Sequence, residues 1–108
     1  MISVSGTTIS MTRGDTLRLT ITIKNPDGTD YSPVENDVVR FAAKRYFSDP
    51  AVAIHKDVPT DTLLLHFAPA DTKTLPVGSY VYDIELTHAD GDVDTFISGI
   101  LILMDEVE

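Results

Sequence analysis

Hydrophobic and polar residues alternate with a period of two along several short stretches of the chain. The clearest stretch is Leu17–Lys24, where leucine and isoleucine alternate with arginine, threonine and lysine. Such alternation is typical of a strand with one buried face and one wet face. The predicted strands cover residues 8–11, 17–24, 39–44, 52–54, 63–67, 80–87 and 95–104, and a single helical turn is predicted at Pro69–Thr74.

The last third of the chain predicts a β-hairpin. Asp90-Gly91 favours a two-residue turn, because both residue types tolerate the positive φ that this turn needs. That turn would pair inward-facing residues without a bulge. The predicted pairs are Tyr80 with Leu101, Tyr82 with Gly99, Ile84 with Ile97, and Leu86 with Thr95.

About seven short strands with regularly spaced turns predict an all-β fold, an immunoglobulin-like antiparallel β-sandwich that forms one domain over residues 1–108. The small turn at 75–79 precedes Tyr80, as in the tyrosine corner of such sandwiches. In that arrangement the Tyr80 hydroxyl would bond back to a nearby backbone group. The alternative is an ordinary, half-buried tyrosine.

Charge and cysteine content narrow the classes of partner. The 17 acidic and eight basic residues give a net charge of −9, which repels phosphate backbones and disfavours nucleic acid as a partner. The sequence has no cysteine, which excludes disulfides and thiolate chemistry. No apolar run approaches the ~20 residues of a membrane span, and we expect no signal peptide at the N-terminus.

The candidate chemistry is sparse, and we expect neither a cofactor nor a metal. Asp90, Asp92 and Asp94 have the spacing of calcium-loop ligands, but no glycine and glutamate follow at the required positions, so a solvated hairpin tip is favoured. His55 and His66 would lie side by side in one strand register, although without the close spacing of a zinc motif.

No motif for nucleophilic catalysis or phosphate binding occurs, and the sequence therefore predicts a protein that is not an enzyme. Asp83 and Glu85 share an outward face, but an open sheet lacks the walls of a catalytic cleft. The tripeptide at 13–15, Arg-Gly-Asp, stands where a turn between strands is needed, so we interpret it as a turn rather than an adhesive motif.

The most informative feature is an apolar row on the predicted outward face of the last hairpin. The row consists of Val81, Phe96, Ile100, Ile102 and Met104. A solvated strand face should be polar, whereas residues 100–104 are apolar on both sides. One explanation is that Tyr31 or the N-terminal strand covers the row. The favoured explanation is a contact with another protein, which makes a homo-oligomer, dimer or trimer, the expected state.

The order of these motifs resembles small phage and prophage tail proteins similar to the N-terminal domain of the phage baseplate upper protein. The resemblance rests on Met11–Thr16, Phe41–Arg45 with its Ser-Asp-Pro turn, Leu75–Ile84, Asp90–Val93 and Gly99–Leu103. It spans about residues 8–108 and consists of turn and strand patterns rather than catalytic signatures. Ile100 and Ile102 depart from it, since polar residues usually alternate after the last glycine.

The resemblance implies an immunoglobulin-like, non-enzymatic structural or attachment module of a tail, baseplate or fibre. Its expected partner is a protein, either a second copy or another tail component. Its expected location is the virion tail, or the host cytoplasm before assembly. The alternative function is a carbohydrate- or receptor-binding sandwich. The aromatic residues that would serve it are Tyr31, Tyr46, Phe47 and Phe96.

Overall fold

The computed structural model describes residues 2–5 and 7–107, and it is built almost entirely of strands. The strands are β1 (Ile2–Ser5), β2 (Thr8–Thr12), β3 (Leu17–Thr20), β4 (Val38–Lys44), β5 (Ile54–Val58), β6 (Leu64–Phe67), β7 (Gly78–Thr87) and β8 (Val93–Met104), with one short helix, α1 (Pro69–Thr72). The predicted all-β class and the helical turn after Phe67 are confirmed.

The strands form two layers of unequal width. The larger sheet has the order β1-β2-β8-β7-β4-β5, and β3 pairs with β6 in the smaller one. This arrangement is sandwich-like, with a two-stranded layer packed over the strands of the larger sheet. The expectation of a purely antiparallel fold is wrong at one ladder, because β2 runs parallel to β8.

Aromatic and aliphatic side chains from both layers fill the core between them. Phe41 on β4 is fully buried, with the Phe67 ring edge-on at 5.3 Å and the Tyr82 ring stacked at 5.2 Å. Leu101 and Leu103 contribute the inner face of β8. Period-two alternation therefore assigns the inner residues of β4, β7 and β8 correctly over most of their length.

Strand β3 is shorter than its alternating pattern predicts. It ends at Thr20, although Ile21 and Ile23 are buried as the pattern requires. Leu63, the residue opposite Ile21, has a φ of 51° and so leaves the extended conformation before β6 begins. The side chains keep their inward positions while the ladder ends, since alternation reports burial rather than hydrogen bonding.

Tyr80 forms the predicted tyrosine corner at the start of β7. Its hydroxyl donates a 2.6 Å hydrogen bond to the carbonyl oxygen of Pro76, four residues upstream. The ring is fully buried, and the Arg45 guanidinium lies 5.1 Å from its centre. The hydrogen bond to Pro76 fixes the turn that leads into β7 and so sets where the strand begins.

The hairpin register is confirmed in its inner part and wrong near the tip. Tyr80, Tyr82 and Ile84 face the predicted partners, but Leu86 faces Asp94 rather than Thr95. The loop has three residues instead of two, because Gly91, with a φ of 96°, extends a turn closed by its N–H and the His88 carbonyl. A bulge between Ile84 and Glu85 absorbs the resulting one-residue shift.

We expect Gly99→Val to destabilise the protein strongly. A Cβ at this position would overlap the carbonyl oxygen of Thr7 and lie 2.9 Å from the Tyr82 hydroxyl. The free energy of unfolding should fall by about 3 kcal/mol, the upper end of the usual range for overpacked cores. Ser98→Val, on the opposite face of the same strand, is the control and should change it by less than about 0.5 kcal/mol. Equal denaturant midpoints for the two variants would contradict this packing.

Candidate protein-contact surface

The outer face of the larger sheet carries most of the predicted apolar row. Val81 on β7 lies directly opposite Ile100 on β8. Ile102 and Met104 follow on the same side of β8, in alternation with the buried Leu101 and Leu103. The Ile100 side chain is 44% exposed and that of Met104 is 38% exposed. Four of the five predicted residues therefore share one face that is open to solvent.

Phe96 does not belong to this row. It is partly buried and packs against the hydrophobic core. The reason is the bulge, since the pairing shifts by one residue between Ile97 and Thr95 and leaves Phe96 without a partner on β7. A one-residue shift reverses the side to which a strand residue points. The prediction that placed Phe96 on the outward face is therefore wrong.

Two further apolar residues extend this face. Phe47 and Val52, in the loop between β4 and β5, are 83% and 47% exposed. Together with Ala42 and Val81 they line a shallow depression of about 270 Å³. The pattern predicted Val52 in a strand, but β5 begins only at Ile54. We call these six residues the outer apolar surface: Phe47, Val52, Val81, Ile100, Ile102 and Met104.

The sequence suggested two covers for this surface, Tyr31 and the N-terminal strand. In the described residues neither of them lies over it. Tyr31 donates a hydrogen bond to Asp37 and packs against the core instead. The N-terminal hairpin extends the sheet sideways, because β2 pairs with the edge of β8 and places Thr8 beside Ile100. Extension at an edge leaves the outer side chains of β8 accessible. Within the described residues, Ile100 and Met104 therefore remain exposed.

Charged residues border the outer apolar surface on one side. Arg40 and Glu85 face each other across β4 and β7 and form an ion pair. Asp83 and Lys44 lie between this pair and the apolar residues, on the same two strands. Asp94 lies outside this group and accepts a 2.9 Å hydrogen bond from His88 at the hairpin tip. The border of the outer apolar surface therefore carries both acids and bases.

A second candidate site lies at the end of the sandwich near the hairpin tip. Tyr31, Phe96 and Asp94 line a cleft of about 420 Å³ over the buried Leu86. Behind it, Tyr31 donates a 2.6 Å hydrogen bond to the buried carboxylate of Asp37. Sequence reasoning missed this cluster, because it depends on how the long loop after β3 folds back against the hairpin.

Electrostatics in this cluster favour a charged histidine. The hydrogen bond to Asp94 raises the pKa of His88, and the carboxylates of Asp37 and Asp90 raise it further. The Tyr31 hydroxyl and the Val34 N–H lower the pKa of Asp37 by hydrogen bonding to its carboxylate. His88 Nδ1 lies 3.9 Å from Asp37 Oδ1. The imidazolium therefore links the loop before β4 to the hairpin.

The remaining predicted candidates do not converge on a metal. Asp90 accepts the backbone N–H of Asp92 at 3.0 Å and so caps its own turn. His55 and His66 lie on strands of different sheets, so the register that would pair them does not occur. Within the described part of the chain, no three histidine or acidic side chains are grouped so as to hold a metal ion.

The Arg-Gly-Asp tripeptide forms the turn that the sequence indicated. Gly14 has a φ of 85°, and its N–H donates to the Thr72 hydroxyl. Arg13 donates a 3.1 Å hydrogen bond to the Leu75 carbonyl and pairs with Glu106. These contacts engage the arginine within the fold.

Comparison with known proteins identifies no family for this chain. No protein-family model matches the chain, and a search of curated proteins finds no similar sequence. In the described residues there is no helix with the length and apolar character needed to cross a membrane.

We expect His88 to make the free energy of unfolding fall as the pH rises above 6.5. Because its folded pKa lies above the ordinary 6.5, its contribution is full below that value and is lost as the pH rises through the folded pKa. The free energy of unfolding should therefore fall more steeply between pH 6 and pH 8 in the wild type than in His88→Gln. Urea titrations of both proteins at each pH measure this. Parallel curves would contradict the link.

Proposed function

We propose that this chain is a non-enzymatic structural attachment module of a phage or prophage tail, baseplate or fibre. In this role it binds another protein through the outer apolar surface, either in the virion tail or in the host cytoplasm before assembly. The observation that carries the proposal is the exposure of Ile100 and Met104 on the outer face of β8. The tail assignment itself rests on the resemblance of the turn and strand motifs.

The position of these residues supports a contact surface. Residues 100–104 of β8 are paired on both edges, by β2 and by β7, so the backbone of this segment is engaged in the sheet. A partner is therefore met by the side chains of Ile100, Ile102 and Met104 rather than by strand addition. Burying a large aliphatic side chain contributes about 1.5–3 kcal/mol. The six residues of the outer apolar surface are enough for a modest interface.

The tail assignment is tested in the host that carries the gene. Tail particles are purified after prophage induction, and the chain is quantified in them by mass spectrometry. We expect the wild type in the particles and at least a tenfold loss for the Ile100→Lys, Ile102→Lys double variant. Thr20→Lys with Thr22→Lys adds the same charge at exposed positions of the β3 segment and should be incorporated normally.

Absence of the wild-type chain from intact tails would contradict the tail assignment. Equal incorporation of both double variants would contradict the use of the outer apolar surface. Circular dichroism of the purified variants checks that each is folded. Because Ile100 and Ile102 point away from the core, we expect both to melt cooperatively.

A second candidate function is carbohydrate binding, and one observation favours it. Tyr31 and Phe96, two of the four aromatic residues expected to serve it, line the same cleft beside Asp94 and Asn25. Pockets that bind small molecules are commonly lined by aromatic rings with a few polar groups beside them. In a sugar site the rings would stack on the sugar, and the carboxylate and amide would bind its hydroxyls. A glycan array with the wild type and Phe96→Ala tests it. We expect no binding by either protein, and a glycan bound by the wild type alone would favour the cleft.

A further inference from the structure

We propose that the outer apolar surface binds a second copy of this chain in a closed two-fold dimer. The inference rests on the proposed function, since it names the partner of the same surface. Three observations carry it: two charged residues without partners in the described residues beside the apolar residues, the near-neutrality of this face in an acidic protein, and the size of the sheet. A trimer, or a different protein as the sole occupant, is the competing arrangement.

The first observation concerns Lys44 and Asp83. Lys44 lies opposite Val81 across β4 and β7, and Asp83 follows two residues further along β7. Both side chains are half-buried, and neither forms an ion pair or a side-chain hydrogen bond within the described residues. By contrast, their neighbours Arg40 and Glu85 are paired with each other. The face therefore presents one base and one acid that are available to a partner.

The geometry of the sheet relates these two charges by a two-fold axis. Lys44 and Asp83 are diagonal neighbours, separated by about 7–8 Å. An axis in the interface plane that passes between them also runs over Val81 and Ile100, which lie side by side in the next positions. Each copy's Lys44 then faces the Asp83 of the other copy, and Val81 and Ile100 meet their own counterparts. Such self-complementarity is what a two-fold contact requires.

The second observation concerns net charge. The chain carries −9 overall, which on an evenly acidic surface would oppose self-association. On this face, however, the bases Arg40 and Lys44 of β4 offset all but one of three carboxylates, Asp83 and Glu85 of β7 and Asp57 of β5. A second copy therefore meets a nearly neutral surface. A strongly basic partner would find more attraction elsewhere on the protein, so the charge pattern favours self-contact here.

The third observation concerns area. The six strands of the larger sheet together contain 43 residues. At about 3.3 Å per residue and about 4.8 Å between strands, the outer face covers about 680 Å². This area approaches the roughly 800 Å² that each partner contributes to a standard stable interface.

The test exchanges the two charges. Sedimentation equilibrium is performed on the wild type, on Lys44→Asp, on Asp83→Lys, on the double variant, and on an equimolar mixture of the two single variants. We expect a wild-type dimer, at least tenfold weaker association for each single variant because like charges then face each other, and recovery in the double variant. The mixture should form a heterodimer, since its opposed charges are again complementary.

Controls separate charge effects from folding. Lys24→Asp and Asp61→Lys make the same changes at exposed positions away from this face and should leave the dimer unchanged. Thermal melting verifies each variant, and Lys44→Gln with Asp83→Asn replaces any that does not fold, with weakened association expected. The single substitution Ile100→Lys in the otherwise wild-type chain should abolish association.

Each other outcome overturns the inference. A wild type that stays monomeric at every concentration excludes the second copy, and a trimer excludes the two-fold axis. Single variants that dimerise like the wild type exclude the Lys44–Asp83 contact. Incorporation into tails is measured independently, so a monomeric chain that still enters tails through Ile100 and Ile102 leaves the proposed function standing while this inference fails.

Discussion

The structure depends on the position of β8 between β2 and β7. Pairing on both edges over residues 100–104 places this part of β8 in the interior of the larger sheet. Its inner side chains, Leu101 and Leu103, then belong to the core. The outer side chains, Ile100 and Met104, have no layer above them in the described residues. A contact that buries these side chains must therefore come from outside this sheet.

The sequence predicts the hairpin well where its signal is local. Alternation and the position of Asp90-Gly91 place Tyr82 opposite Gly99, and the structure agrees. The tip was not predictable in the same way, because the dipeptide suits both a two-residue and a three-residue loop. The choice between them moves the register by one, and the bulge that compensates it turns Phe96 away from the outer face. Phe96 then packs partly against the core at the edge of the cleft beside Tyr31.

Other parts of the structure required contacts distant in sequence. The parallel pairing of β2 with β8 joins residues more than ninety positions apart, and no local pattern encodes it. The placement of Phe47 on the outer face depends on the course of the loop between β4 and β5. The same holds for Tyr31 and Asp37, which the long loop brings against His88. Alternation identifies the face of a strand, whereas strand order and loop path follow from the whole chain.

The molecule separates its polar and apolar features between two regions. Carboxylates and His88 gather at the hairpin tip, where hydrogen bonds hold the loop in place. The outer apolar surface lies farther along the same sheet, beside a balanced set of charges.

Carbene footprinting of the wild-type chain over a range of protein concentrations is the sharpest test of whether this face closes on a second copy. Labelling of Ile100, Ile102 and Met104 should fall as the concentration rises, while labelling of Phe96 and Tyr31 stays constant. Labelling of the three outer residues that does not change with concentration would contradict the dimer.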